Sequence, residues 1–313
     1  ETITKKPGTA CIRDTQKHSR PIVKIQDGCE QNCTYCIIPK VRGGYRSTGS
    51  IEILKKIKDL EENGFEEVVL TGIHIGKYGV DLKNTYGLDR LIEDIMADTA
   101  MKRLRISSIE INEIDDGLLS IILKNRERIA PHFHIPLQSG SDAILSKMAR
   151  PYTAVSFTEK VSIIRKVLPE ITITTDVMTG FPGESDEDFN DTLEMVKKIR
   201  FSKLHVFKYS PRPGTRAFEF KDGVEGSVKS ERSRKLRECG ERSRDLFINK
   251  NIGKNHIVAA EMINPESGIA SGTSGNYIKI YFRTGPGFEK IRGKLIELTA
   301  EEKYKDGLFA RYI

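Results

Sequence analysis

The chain has 313 residues, enough for one large domain and a small one, and its 38% hydrophobic content supports a core that folds without disulfide staples. No apolar run approaches the roughly 18–20 residues of a membrane span, and the first residues lack the charged-then-apolar pattern of a signal peptide, so a cytoplasmic monomer without membrane contact is expected. The formal charge of +7 is unevenly placed and points to a polyanionic partner.

From Pro21 to about Ser210 short β-branched runs alternate with helical patterns. The runs cover 21–26, 66–72, 103–110, 132–138, 171–180 and 203–210. After the first, SIEILKKIKDLEENG sets Ile53, Leu54, Ile57 and Leu60 on one face, with Ser50 as N-cap and Gly64 as stop. LDRLIEDIMAD, DGLLSIILKNRERI, SDAILSKMA and VSFTEKVSIIRKVL follow as further helices. In SDEDFNDTLEMVKKIR, Ser185 precedes an acidic first turn that complements the helix dipole. Six strand–helix repeats predict a parallel, barrel-like α/β sheet, whose chemistry belongs at the strand ends.

The segment 228–248 is helical in pattern, with Leu236, Cys239, Ser243 and Leu246/Phe247 on one stripe, so Cys239 reads as a packing residue. From Val228 to Lys254 nine basic residues stand against four acidic ones, which suggests a surface for a polyanion or a solvated helix face. After Gly253 only strand patterns remain, and these fit a small β-barrel. The division is 1–19 as a linker, 20–247 as the α/β domain and 248–313 as the β domain.

Of five cysteines, Cys29, Cys33 and Cys36 fall within eight residues of DGCEQNCTYCIIPKVRGG (27–44). In a reducing compartment such a cluster reads as metal or catalytic ligands. A structural zinc site wants four ligands, usually as two paired hooks, and no second Cys or His pair follows; His74 is the one candidate for a fourth. A Cys-x-x-Cys redox pair would leave Cys29 unexplained. Three thiolates on an iron–sulfur cubane would leave one iron open for a substrate or cosubstrate.

The segment GCEQNCTYC, after the first strand, resembles the radical S-adenosylmethionine (radical SAM) signature, with Tyr35 as the aromatic residue before the last cysteine. The motifs CTYCIIPKVRG, VVLTGIHIGKYG, RISSIE, HIPLQSGSDAILSKMARPYT, TTDVMTGFPGESDEDF and LHVFKYSPRPGTRA resemble, in that order, the methylthiotransferases of this superfamily. SGTSGNYIKIYF is similar to the TRAM domain that follows in them. The pairing of LTGIHIGKYG with RISSIE is closest to the bacterial branch that modifies N6-threonylcarbamoyladenosine in tRNA beside the anticodon. The isopentenyladenosine branch and the branch acting on a ribosomal-protein aspartate are the other candidates.

The resemblance implies a partial (β/α)6 radical SAM barrel followed by a small OB-like TRAM barrel. It implies a 4Fe–4S cluster on Cys29, Cys33 and Cys36, SAM as cosubstrate, and an electron donor. Tyr35, Gly72, Glu110, Gln138 and Ser139 would contact SAM. Lys40, Arg42, Arg46, Arg150, Arg234, Arg237 and Lys279 are candidates for RNA contacts, and Tyr277 and Tyr281 could stack on unpaired bases. In the whole enzyme one SAM would methylate sulfur at a second cluster, held by three cysteines of an N-terminal domain. A second SAM would supply the radical that takes hydrogen from C2 of the adenine. Cys11 alone cannot stand for those three cysteines, so the chain reads as a truncated piece whose first residues are a linker remnant. The non-enzymatic alternative is an RNA-binding module with a structural metal.

Overall fold

The computed structural model describes residues 19–82, 86–285 and 287–313. Nearly all of the expected linker, and Cys11 with it, lies outside the described residues. The chain runs through β1 (Ile22–Asp27), α1 (Ile38–Arg42), β2 (Arg46–Ser47), α2 (Ser50–Glu62), β3 (Glu67–Gly72), α3 (Leu88–Asp98), β4 (Arg103–Ile106) and α4 (Asp116–Lys124). It continues with β5 (His132–His134), α5 (Asp142–Lys147), α6 (Ala154–Val167), β6 (Thr172–Thr179), α7 (Asp186–Ile199), β7 (Lys203–Lys208) and the long α8 (Gly226–Asn249).

β1, β3 and β4 pair in parallel, with β2 as an antiparallel edge, and β5, β6 and β7 form a second parallel group. Backbone bridges from Leu104 to Ile129 and from Ser108 to His134 join the groups into one open, curved sheet. This is the expected partial α/β barrel. β5 is shorter than its β-branched run because Pro136 lacks an N–H and Gln138 turns left-handed at φ 64°. Ser50 is the first helical residue of α2, not its cap, which is Gly49. Ser185 does cap α7, in a box with Asp188.

Alternation along the strands sorts two faces. Val23, Ile25, Val68, Leu70, Leu104, Phe133, Ile173 and Val177 are buried in the main core with the helices. Ile22, Val69, Arg105, His134, Asp176, His205 and Phe207 instead line a cavity of about 680 Å³ inside the curve of the sheet. β1 carries a bulge between Lys24 and Gln26, so Ile25 and Gln26 are both buried at its upper end.

The C-terminal strands β8 (Asn255–Asn264), β9 (Ile269–Ser274), β10 (Lys279–Arg283), β11 (Leu295–Tyr304) and β12 (Gly307–Tyr312) close into a barrel in the order β10-β12-β11-β8-β9. Its core uses small residues, Ala260, Ala270, Ala300 and Ala310, among Val258, Ile280, Phe282, Leu298 and Leu308. A one-turn helix α9 (Phe288–Ile291) interrupts what the sequence presents as a strand. The barrel docks against the lower strand ends. Arg103 and Arg105, buried side by side on Glu67, donate across the junction to the carbonyls of Ile257, Thr273, Ser274 and Gly275.

Candidate functional site

The cysteine loop leaves the upper end of β1 and is fixed from several sides. Gly28 turns at φ 74°, where a Cβ would come within 1.9 Å of the Gly44 carbonyl oxygen. The buried amide of Gln26 donates to the carbonyls of Asp27 and Gly28 and accepts from the His74 N–H at 2.7 Å. Thr34 donates from its backbone to Met148 O at 3.1 Å and from its hydroxyl to Lys147 O at 2.8 Å, and it accepts from the Ala217 N–H at 2.8 Å. The Tyr35 ring packs edge-on against Phe181. Cys29, Cys33 and Cys36 are all partly exposed and free of disulfides, while Cys239 is buried on α8, as its helical position predicted.

The sulfurs have polar neighbours whose pairing with them the sequence did not show. Arg150 Nη1 lies 3.2 Å from Cys33 Sγ, and its other Nη holds Glu110. His74 Nδ1 lies 3.3 Å from Cys29 Sγ, and His74 Nε2 lies 2.6 Å from Glu113. Burial pushes the Cys33 thiol up, with Arg150 partly offsetting it, and burial likewise raises Cys36. Burial opposes charge on His74, yet its bonds to Cys29 and Glu113 raise its pKa to about 9. These N–H donors suit thiolate sulfur, the form in which cysteine binds metal. Among the described residues no three His, Cys, Asp or Glu side chains converge on a single ion.

Gly72 closes β3 beside Gln26, and a Cβ there would meet Gln26 O at 2.8 Å. Gln138 holds its left-handed turn through its N–H to Asp176 O and its carbonyl to Met178 N, both at 2.8 Å. Ser139 needs correction as a cosubstrate contact. It is fully buried, and its hydroxyl bonds Thr192 and the N–H of Ser141 inside the loop.

The expected RNA contacts divide. Lys40 and Arg42 on α1, Arg46 and Arg237 are exposed, Arg46 with Asp27 3.5 Å away. Arg150 needs correction: it is buried between Cys33 and Glu110 and cannot face a phosphate in this arrangement. Arg234 is taken up by Glu231 and Glu238, and Arg232 is buried on Glu184 and Asp186, so much of the basic excess of α8 is balanced locally. Lys279 lies over the Tyr281 ring, 3.9 Å from Asp306. Tyr281 is buried, and Tyr277, though partly exposed, stacks one ring face on His132 at 4.4 Å in the domain junction. Exposed Arg212 escaped notice because it lies far from the cysteines in sequence, although its charge acts on Cys36.

Residues 23–196 match the family model of the radical SAM superfamily. The chain is 38% identical, over 94% of its length and 66% of the relative's, to the threonylcarbamoyladenosine tRNA methylthiotransferase MtaB of Bacillus subtilis. It is 43% identical to the Aquifex aeolicus protein of that name, over 75% of this chain and 57% of that one. A tRNA-2-methylthio-N(6)-dimethylallyladenosine synthase from Carboxydothermus hydrogenoformans is 36% identical over 90% of this chain and 64% of the relative. The chain thus spans roughly three-fifths of the length of these relatives. Among solved structures, Escherichia coli coproporphyrinogen III oxidase (HemN), titled a radical SAM enzyme, aligns at a TM-score of 0.52 with 14% identity, covering 85% of this chain and 70% of that one. With the cysteine loop at the mouth of the same kind of open barrel, the chain belongs to the radical SAM superfamily.

Proposed function

We propose that the chain is the radical-generating and RNA-gripping part of a tRNA methylthiotransferase acting at C2 of N6-threonylcarbamoyladenosine. The observation that carries this reading is its likeness, along nearly the whole chain, to proteins named for that reaction. The division at 247/248 then separates a radical domain from a TRAM-like barrel.

The superfamily implies a 4Fe–4S cluster and SAM, and the residues at the mouth fit them: three thiols on one braced loop, two with N–H groups aimed at sulfur. When bound, such a cluster supplies the electron that cleaves SAM to a primary alkyl radical. Cys29, Cys33 and Cys36 hold it in this reading, with His74 beside the first and Arg150 beside the second. Gly72 lets β3 pack closely on Gln26 at the strand end that faces the cosubstrate, while Glu110 and Gln138 orient its polar groups and the backbone at Tyr35 faces its adenine. Lys40, Arg42, Arg46 and Arg237 contribute phosphate contacts.

The test uses protein reconstituted anaerobically with iron and sulfide, reduced with dithionite, and given anticodon stem–loops deuterated at C2 of the target adenine. Deuterium should pass from threonylcarbamoyladenosine into 5′-deoxyadenosine, detected by mass spectrometry. Transfer only from dimethylallyladenosine would move the chain to the other branch, and absence of SAM cleavage would overturn the reading.

A further inference from the structure

The lumen cavity holds polar side chains that the cysteine loop does not use. His132 lines it at one level, His134 and Thr174 at the next, and Asp176 and His205 above them. The Thr174 hydroxyl is shared, with His132 Nε2 and His134 Nδ1 each 2.9 Å from it. His134 Nε2 lies 3.2 Å from Asp176 Oδ1 and His205 Nδ1 lies 3.6 Å from the same oxygen. Tyr277 of the β-barrel covers His132.

Three atoms of this group are buried without a hydrogen-bond partner: His132 Nδ1, Asp176 Oδ1 and His205 Nε2. Buried polar atoms without a hydrogen bond are rare, and these call for a reason, although Asp176 Oδ1 does have the His134 and His205 rings beside it. The group does not converge as an ion requires. Burial and the cations nearby hold His132 and His205 below the usual histidine range, so both rings are neutral at pH 7. Neutral imidazole accepts at one nitrogen, and Asp176 accepts at both oxygens. This side of the wall therefore offers acceptors, while Arg20 and Arg105 in the same lining offer donors. A hydrocarbon placed against it would leave those acceptors unpaired, whereas N–H and O–H groups would satisfy them.

We propose that this cavity receives the N6 substituent of the substrate adenine, and that His132, Asp176 and His205 select a donor-bearing ureido substituent over a hydrocarbon one. The proposal rests on the reading of the chain as a tRNA methylthiotransferase, and it locates the choice between the two tRNA branches in three side chains. The cavity volume of about 680 Å³ lies within the ordinary range for small-ligand pockets.

Equilibrium dialysis of the reconstituted protein tests it with three nucleosides: N6-threonylcarbamoyladenosine, N6-dimethylallyladenosine and adenosine. The wild type should prefer the first. His205→Phe and Asp176→Leu should each erode that preference by about 10–100-fold, the range for leaving a buried polar partner unmade, while His205→Gln, which keeps an acceptor, should retain most of it. His205 stands at the open edge of the sheet and is partly exposed, so its variants keep the test decisive if Asp176→Leu fails to fold. A preference unmoved in folded His205→Phe, or a wild type that does not discriminate, overturns the proposal. If discrimination follows these side chains but no deuterium moves to 5′-deoxyadenosine, the pocket stands and the reaction falls. If deuterium moves and discrimination ignores them, the reaction stands and the pocket falls.

Discussion

The two ends of the sheet both gather cations, but in opposite ways. At the floor, Arg20, Arg103 and Arg105 surround the fully buried Glu67, and two of them reach across to carbonyls of the β-barrel. At the mouth, Lys40, Arg42 and Arg212 are exposed and make no ion pair among the described residues. A buried guanidinium must have its charge and N–H groups satisfied, so the floor cations are structural. An exposed one loses little by waiting for a partner and is tuned by salt. The same residue types therefore weld two domains at one end and stay available to a polyanion at the other.

Several substitutions probe the contrast. The largest effect belongs to the mouth: Cys33→Ala should abolish SAM cleavage and the visible absorption of the reconstituted protein without lowering the unfolding midpoint of the apoprotein. Full cleavage by this variant would remove the loop from the chemistry. At the floor, Glu67→Gln should destabilise by about 3–5 kcal/mol, because it strands buried guanidinium groups; urea denaturation would read this, and a change below about 1 kcal/mol would mean that the floor is solvated. Burial alone would raise the Glu67 pKa, but Arg105 and Arg103 outweigh it and hold it below the ordinary value. The stability it contributes is thus complete above the usual glutamate range and is lost as pH falls through the lowered pKa, a loss that Glu67→Gln should abolish.

Smaller effects sharpen the comparison. Tyr277→Ala, which removes the ring between His132 and Arg105, should cost about 1–2 kcal/mol. Lys40→Ala combined with Arg42→Ala should leave stability within about 0.5 kcal/mol. The pair should weaken RNA binding by about tenfold at low salt and flatten its salt dependence by one to two counterions. RNA binding that ignores this pair but fails in Arg237→Ala would shift the interface from the mouth to α8.

The strand–helix alternation and the cysteine loop were legible because each is written locally, in a period or a spacing. Ser185 and Cys239 show the same: one is read from the three acidic residues that follow it, the other from its helical stripe. What stayed hidden depends on residues that meet only after folding. Nothing near Arg232 in sequence announces Glu184, 48 positions away, so α8 read as more open to a polyanion than it is. Arg150 looked like a surface cation until the fold set it against Cys33, 117 positions distant. Tyr277 read with Tyr281 as a surface for unpaired bases, yet its backbone turns left-handed at φ 68° and its ring stacks on His132 in the junction. The histidines of the lumen come from two strands, β5 and β7, and the Thr174 and Asp176 side chains of β6 between them give them meaning only across the sheet.

The bulge in β1 has a bearing on how this protein tolerates change. Below it the strand keeps the two-residue rhythm that separates core from lumen, and above it the phase is shifted, which brings the Gln26 amide under the cysteine loop and the N–H of His74. The strand works as a gear with one extra tooth, setting the angle at which the loop leaves the sheet. Loss of a single residue between 24 and 27 would swap the inward and outward roles of everything beyond it, and no slack in the loop could restore them, since Thr34 is tied at its far side to Lys147 and Met148. Insertions should therefore be accepted readily at the exposed Gly223–Gly226 approach to α8, where a Cβ at either glycine meets nothing, and hardly at all in these four positions.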